Sequence, residues 1–168
     1  MSRESVTWSI YASLLSASVM VVIGLLGLWA GKPWLFPSLG PTIFLQAVTP
    51  DQPSARPWNT LTGHALGVIA GFAALFLLHA QNDPPTLSAG VLTGGRVAAT
   101  ALAVGLTVAL QLALKAEHPP AAATTMLISL GGLKPDWSTV LVIAAGVVTV
   151  AVLGEGVRWL HPNRKDSP

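Results

Sequence analysis

Four long apolar stretches, none of which contains Asp, Glu, Lys or Arg, divide this chain. They lie between Glu4 and Lys32, Arg56 and Asp83, Arg96 and Lys115, and Asp136 and Glu155. Each is near or above the ~18 apolar residues that mark a membrane-spanning helix. Two shorter apolar segments, 37–49 and 119–131, lie between them. The pattern predicts an all-α polytopic membrane bundle whose long helices cover 8–31, 59–80, 92–115 and 138–160.

The two short segments are too short to cross a bilayer as helices. A segment of this length rises ~20 Å, whereas the hydrocarbon core is ~30 Å thick. They are therefore half-helices that enter from one side, or tilted spans completed by irregular chain. Irregular backbone at this depth is tolerated where it is buried in protein or lines a wet cavity. Pro41 and Pro120 mark their starts, since proline is favoured in the first turn of a helix.

The order long–short–long occurs twice. Pro120 follows Pro41 by 79 residues, and Trp137 follows Trp58 by the same distance. We interpret this as an internal repeat, 7–80 and 86–160, within a single transmembrane domain that covers 1–168. Three crossings per unit would invert the halves, whereas two crossings with a re-entrant loop would leave them parallel. The placement of Lys and Arg favours three crossings, with both termini on the cytoplasmic side of the plasma (inner) membrane.

Composition supports the membrane assignment and narrows the chemistry. Charged residues make up 10% of the chain, against about 25% in soluble domains. The absence of cysteine removes disulfides and thiolate metal sites. No phosphate-binding loop, His–Glu metal pair or Ser–His–Asp set is present. We therefore expect no enzyme activity, no cofactor, no metal and no nucleic-acid partner.

A stripe of small residues runs along the second long segment. Gly63, Gly67 and Gly71 recur every fourth residue, a spacing that lets helix backbones approach closely in membranes. The stripe packs helices within or between subunits, or it lines a pore. We expect at least a homodimer held by this stripe.

Hydroxyls and prolines at the starts of both short segments form the candidate substrate site. In a dry bundle such hydroxyls bond back to their own helix carbonyls. In a cavity they coordinate a dehydrated anion beside the free N–H groups of a helix start. The candidates are Ser38, Gly40, Pro41, Thr42, His118, Pro119, Pro120, Thr124 and Thr125. His118 is either an interfacial histidine bonded to a carbonyl or a gate whose charge depends on pH.

A second set of polar residues could gate the site or form a polar network. Its members are Asn59, His64, Arg96 and Glu117. His64 lies about one turn into a predicted span, where ionisable groups usually face the bundle interior. We expect Arg96 to reach the surface, unless its helix begins nearer Thr86 and places it deeper. Glu155 and Arg158 form a salt bridge, or Glu155 serves as a proton relay.

Four motifs in this order resemble the HPP family of integral membrane proteins. They are Ser38-Leu39-Gly40-Pro41-Thr42, Gln52-Pro53-x-x-x-Pro57-x-Asn59, Gly63-His64 and His118-Pro119-Pro120-Ala-Ala-Ala-Thr124. The resemblance implies the fold, and it suggests nitrite as a substrate because some plant plastid and cyanobacterial members are associated with nitrite transport. The family often has Arg before Asn59, where this chain has Trp58.

The leading hypothesis is a membrane transporter or channel, passive or proton-linked, for a small, nitrite-like inorganic anion. The lipid bilayer and the anion are then its partners. The alternative is a membrane scaffold or regulatory subunit that transports nothing and binds a protein partner. That alternative predicts short segments that are packed shut, with His118 hydrogen-bonded.

Overall fold

The computed structural model describes residues 3–159, and within this range the chain consists of helices joined by turns and irregular segments. The ends of the predicted domain, 1–2 and 160–168, lie outside the described residues. The helices are α1 (Arg3–Ala30), α2 (Leu39–Val48), α3 (Pro57–Leu77), α4 (Thr86–Ala89), α5 (Gly94–Ala113), α6 (Pro120–Ser129) and α7 (Trp137–Trp159). The all-α class is confirmed, and α1, α3, α5 and α7 are each long and apolar enough to cross a membrane.

Local chemistry accounts for the helix ends. Pro57 and Pro120 occupy the first turns of α3 and α6, where the missing N–H has no helical acceptor to lose. Thr93 caps α5 by accepting from the Arg96 backbone N–H at 3.1 Å. Gly31 follows α1 with a φ of +63°, a left-handed conformation that ends helices and that glycine adopts without strain. The four predicted spans are therefore present, with ends that shift by a few residues.

The short helices begin inside the bundle. Ser38, just before α2, is fully buried, as is His118, two residues before α6. Each helix has ten residues, or ~15 Å, about half the hydrocarbon thickness. Irregular chain completes the passage: Trp34 and Leu35 lie against Gly27 and Gly24 of α1, so the chain runs back along α1 before α2 begins.

Contacts along the helices give their directions. Gly63 and Gly71 of α3 lie against His118 and Ile128, so α6 runs parallel to α3. Phe36 and Gln46 lie against Gly146 and Gly154, so α2 runs parallel to α7.

The long helices α3 and α7 are antiparallel to each other. Pro57 shares a cleft with Glu155, and Phe76 shares another with Asp136. Consequently α2 and α6 are antiparallel as well, as inverted halves require. The sequence repeat itself stays a prediction.

The glycine stripe packs α6 against α3 within one chain. A Cβ at Gly67 would lie 2.8 Å from Thr125 Oγ1, and one at Gly71 would lie 3.1 Å from Ile128 Cβ. The expectation that this stripe holds a dimer is therefore wrong, because the stripe is already covered by α6. The close approach of the two helices is what positions the buried polar residues described next.

Candidate functional site

A cluster of polar side chains lies where the first turns of α2 and α6 meet. It consists of Ser38, Thr42, His64, His118 and Thr124, which we call the histidine cluster. Its side chains are 0–1% exposed. The sequence placed two of these residues before or on each short helix and His64 on α3, and the fold brings all five together.

Hydroxyls from the two short helices contact each other directly, and both helices also contact His64 of α3. Ser38 Oγ lies 2.7 Å from Thr124 Oγ1, and Thr124 Oγ1 lies 2.8 Å from His64 Nδ1. His64 Nε2 lies 3.1 Å from Thr42 Oγ1. Residues from three separate helices thus share one hydrogen-bonded chain.

The chain ends at His118. Thr42 Oγ1 lies 3.1 Å from His118 Nε2, and His118 Nδ1 lies 2.7 Å from the Ser54 carbonyl oxygen. The two imidazole rings are 4.9 Å apart between centroids. The carbonyl bond is the one expected for a structural histidine, while the contact with Thr42 places the ring in the candidate substrate site.

The directions of these five bonds follow when both rings are neutral and the Thr42 hydroxyl donates to His118 rather than to the Ser38 carbonyl oxygen, which lies 2.8 Å away on its own helix. The Ser54 carbonyl only accepts, so His118 Nδ1 carries the proton and His118 Nε2 accepts from Thr42. Since the Thr42 hydroxyl has a single proton, His64 Nε2 must donate to Thr42.

The remaining two bonds follow in turn. His64 Nδ1 must accept from Thr124, and Thr124 must accept from Ser38. The five bonds form one ordered series from Ser38 to Ser54, with a donor and an acceptor at every step. In this conformation the cluster is buried and its contacts are satisfied.

The first turn of α6 differs from the expected anion-binding helix start. Pro119 and Pro120 have no N–H, the Ala121 N–H donates to the His118 carbonyl at 2.9 Å, and the Ala122 N–H donates to the Pro119 carbonyl at 3.1 Å. These four positions therefore offer no free backbone donor. Any anion at this end of α6 would have to be bound by side chains and stabilised by the helix dipole.

Several candidate residues shape the site without facing it. Pro41 and Pro119 are exposed, and a Cβ at Gly40 would have no neighbour within 4 Å. Pro120 is buried at the start of α6. These four positions act through the backbone, by setting where the short helices begin.

Asn59 and Glu117 hold the segment before α6. Asn59 Nδ2 donates to the Glu117 carbonyl oxygen at 3.1 Å, while the Glu117 residue is exposed. The His118 backbone N–H donates to Gln111 Oε1 at 2.9 Å. Glu117 thus contributes its backbone, and Gln111, which the sequence analysis did not select, fixes the position of His118.

Arg96 is 3% exposed, so the expectation that it reaches the surface is wrong. Its guanidinium donates to three carbonyl oxygens, those of Pro84 at 3.3 Å, Ser129 at 3.0 Å and Asp83 at 2.9 Å. Helix α5 begins at Gly94, close to the predicted residue 92. The side chain of Arg96 is nevertheless buried, because the segment 83–85 and the end of α6 fold over it. Arg96 therefore joins three parts of the chain at the end of α6 opposite to His118.

Thr125 of α6 belongs to a second group of polar side chains, which lies between α5 and α6. Thr125 Oγ1 lies 2.8 Å from Thr107 Oγ1 and 3.1 Å from the Ala121 carbonyl of its own helix. Thr100 Oγ1 lies 2.9 Å from Ser129 Oγ. Thr100, Thr107 and Gln111 were not among the residues predicted from the sequence. Their spacing from Arg96, at whole turns of α5, is the signal that would have found them.

Glu155 pairs with Arg158 in the last turns of α7. Both side chains are partly exposed, and Trp159 Nε1 also donates to Glu155 at 3.0 Å. Of the two earlier interpretations, the structure contains the salt bridge.

The comparisons with known proteins point to one family. A family model described as HPP, transmembrane region, matches residues 1–166 of the chain. No curated protein and no solved structure matches the chain.

Proposed function

The chain belongs to the HPP transmembrane family, and we propose that it carries a small inorganic anion across a membrane through the histidine cluster. The observation that carries this proposal is the meeting of two half-helices at buried hydroxyls and imidazoles. Polar and ionisable groups inside a membrane bundle are costly and usually serve a substrate or proton pathway. Transporters often place such sites where discontinuous helices begin. Nitrite is the anion to test first, because the family resemblance suggests it.

The packing suggests how the cluster would open. The short helix α2 packs on α1 and α7, whereas α6 packs on α3 and α5. The two groups of helices meet where α3 packs on α7 and at the Ser38–Thr124, Thr42–His64 and Thr42–His118 contacts. A rocking motion of one group against the other would separate those contacts and admit water and the anion from one side at a time. The described conformation is then the occluded state of the carrier.

A second function has its own supporting observation. Every contact within the histidine cluster is satisfied, and His118 is bonded to the Ser54 carbonyl. A membrane scaffold or regulatory subunit that binds a protein partner would have this packing and would need no opening. In that case the cluster stabilises the crossing of α2 and α6 and nothing more.

Flux measurements separate the two functions. Purified protein in liposomes is expected to move nitrite faster than protein-free vesicles do, measured as initial rates at an alkaline pH where little nitrous acid crosses the lipid unaided. Thr124→Val should reduce this rate strongly, because Thr124 joins Ser38 to His64. Thr149→Val is the matched control, since Thr149 Oγ1 bonds the Ala145 carbonyl of its own helix. Equal rates with and without protein would leave the scaffold as the better proposal.

Orientation and assembly are part of the same proposal. We place the protein in the plasma (inner) membrane with both termini in the cytoplasm, and we expect a homo-oligomer. Single cysteines near Gln52 and Asp83, in this cysteine-free chain, test the orientation by labelling from either side. Three crossings per half place Gln52 on the cytoplasmic side and Asp83 on the opposite side; the reverse labelling would indicate two crossings with a re-entrant loop.

A further inference from the structure

We propose that the histidine cluster takes up one proton together with each anion, on His118 Nε2, so that the protein is an electroneutral proton–anion symporter. This inference rests on the proposed transport function and specifies its coupling. Three observations support it: a second acceptor for the Thr42 hydroxyl that contacts His118, the lack of such an acceptor for the Thr124 hydroxyl that contacts His64, and the absence of a fixed cation from the cluster.

The second acceptor for the Thr42 hydroxyl is the Ser38 carbonyl oxygen, which accepts the Thr42 backbone N–H at 3.3 Å and has a further lone pair. It lies 2.8 Å from Thr42 Oγ1, yet in the neutral arrangement the Thr42 proton points to His118 instead. When His118 Nε2 gains a proton, that N–H donates to Thr42, and the Thr42 hydroxyl turns to donate to Ser38. Both lone pairs of Thr42 then accept, one from each histidine. The charged form therefore keeps every cluster contact, and only one hydroxyl rotates.

His64 has no equivalent arrangement. A proton on His64 Nδ1 would have to donate to Thr124 Oγ1, which lies 2.8 Å away. The Thr124 hydroxyl would then need a new acceptor. Its other cluster contact, Ser38 Oγ, could accept only by redirecting its own proton away from the cluster. Since the rings are 4.9 Å apart, a charge on His118 also opposes a second one on His64. The cluster holds one extra proton, and its place is His118.

A bound anion would find no other positive side chain in the cluster. In the part of the chain that the structure describes, the buried polar side chains include one charged group, Arg96. It is bonded to carbonyls at the far end of α6. The members on α2 and α6 are hydroxyls, α3 contributes His64, and the neighbouring α5 side chain is the neutral Gln111. The titratable group that faces His118 is therefore His64.

The remaining charged groups near this end of the bundle face outward. Asp51, Arg56, Lys115 and Glu117 are exposed, and Glu155 pairs with Arg158 at the end of α7. An isolated anion moved into an apolar interior is strongly disfavoured, whereas an anion beside a protonated imidazole is a neutral pair. The proton on His118 thus supplies the positive charge that no other side chain of the cluster provides.

The transport cycle balances in protons and charge. On one side of the membrane a proton from water binds His118 Nε2, the Thr42 hydroxyl turns to Ser38, and the anion binds. After the two helix groups rock, the anion and the proton leave to the other side, and Thr42 turns back to His118. Each cycle moves one proton and one singly charged anion, with no net charge.

Voltage provides the decisive measurement. Vesicles containing the unmodified protein receive a nitrite gradient, and a potential-sensitive dye reports whether a membrane potential develops. An anion uniporter would generate ~59 mV for each tenfold gradient, whereas the symporter generates none while nitrite and protons enter together. Unaided diffusion of nitrous acid creates no potential, so it cannot imitate the uniporter.

The outcomes are distinguishable. Nitrite flux above the protein-free rate without a potential supports the inference. The same flux with a potential that follows the nitrite gradient overturns the symport and leaves anion transport intact. No flux above protein-free vesicles overturns the proposed function itself.

Variants of Thr42 test the switching hydroxyl. Thr42→Val should lower the protein-dependent nitrite rate about tenfold or more, because the protonated His118 then lacks its acceptor. Thr42→Ser, which keeps a hydroxyl, should restore most of the rate, and Thr149→Val should not change it. If Thr42→Val transports nitrite at the unmodified rate with no potential, His118 does not depend on Thr42 and this role is refuted. The voltage measurement on the unmodified protein stands even if the valine variant fails to fold.

Discussion

Gly63 of α3 lies directly against the side chain of His118. A Cβ at position 63 would come within 2.6 Å of His118 Cβ and 3.4 Å of the Ala116 carbonyl oxygen. His118 is fully buried and is tied to Gln111 and Ser54, so it has little room to move away. The glycine therefore permits the position that His118 occupies.

We expect Gly63→Ala to destabilise the protein by about 1–3 kcal/mol, the usual effect of overpacking a filled interior. Thermal unfolding in detergent measures this. Gly105→Ala is the matched control, since a Cβ at Gly105 meets nothing within 4 Å and alanine is the better helix former by about 1 kcal/mol. If Gly63→Ala unfolds at or above the temperature of the unmodified protein, His118 is not tightly packed against α3.

Arg96→Lys should be destabilising even though it retains the charge. The planar guanidinium reaches the carbonyls of Asp83, Pro84 and Ser129 at once, and a single ammonium group cannot reproduce that geometry. We expect a loss of about 2 kcal/mol or more, because hydrogen bonds to charged groups contribute ~1.5–3 kcal/mol each. Detergent unfolding, with Lys134→Gln at an exposed position as the control, provides the measurement. An Arg96→Lys variant as stable as the unmodified protein would show that these bonds do not anchor the segment 83–85.

Thr107 and Thr125 should be energetically coupled. Their hydroxyl oxygens lie 2.8 Å apart between α5 and α6, and such bonds between membrane helices contribute ~0.6 kcal/mol on average and up to ~1.7 kcal/mol. A double-mutant cycle of Thr107→Val and Thr125→Val, measured by unfolding in denaturing detergent, should give a coupling within this range. Strictly additive effects would mean that each hydroxyl satisfies itself on its own helix, at Ala103 and Ala121.

Glu155→Gln should change little. The Glu155–Arg158 pair is partly exposed on one helix, and such pairs contribute at most about 1 kcal/mol. The nitrite rate and its dependence on pH should match those of the unmodified protein in the same vesicles. A large fall in rate with an altered pH dependence would instead favour the proton-relay role for Glu155.

The helices were largely predictable from the sequence, whereas the polar contacts were not. Uninterrupted apolar stretches and prolines at helix starts are local signals, so the four long spans and both short helices came within a few residues of their observed bounds. The environment of Arg96 could not be read in this way, because its acceptors belong to residues 83–84 and to Ser129. The glycine stripe was recognised correctly as a packing surface, but its spacing does not identify the helix that covers it.

The sequence by itself determined that this chain forms a bundle of apolar helices with two short, proline-marked segments, since length, charge and backbone propensity act within each segment. It also singled out His64 and His118 as residues that need polar partners. Only the tertiary structure decided that these two rings meet across Thr42, because hydrogen-bond geometry depends on how α2, α3 and α6 pack over long separations in the chain. The second acceptor of the Thr42 hydroxyl, the Ser38 carbonyl, is local, because it lies one turn back on the same helix; the contacts with both histidines exist only when the helices are assembled.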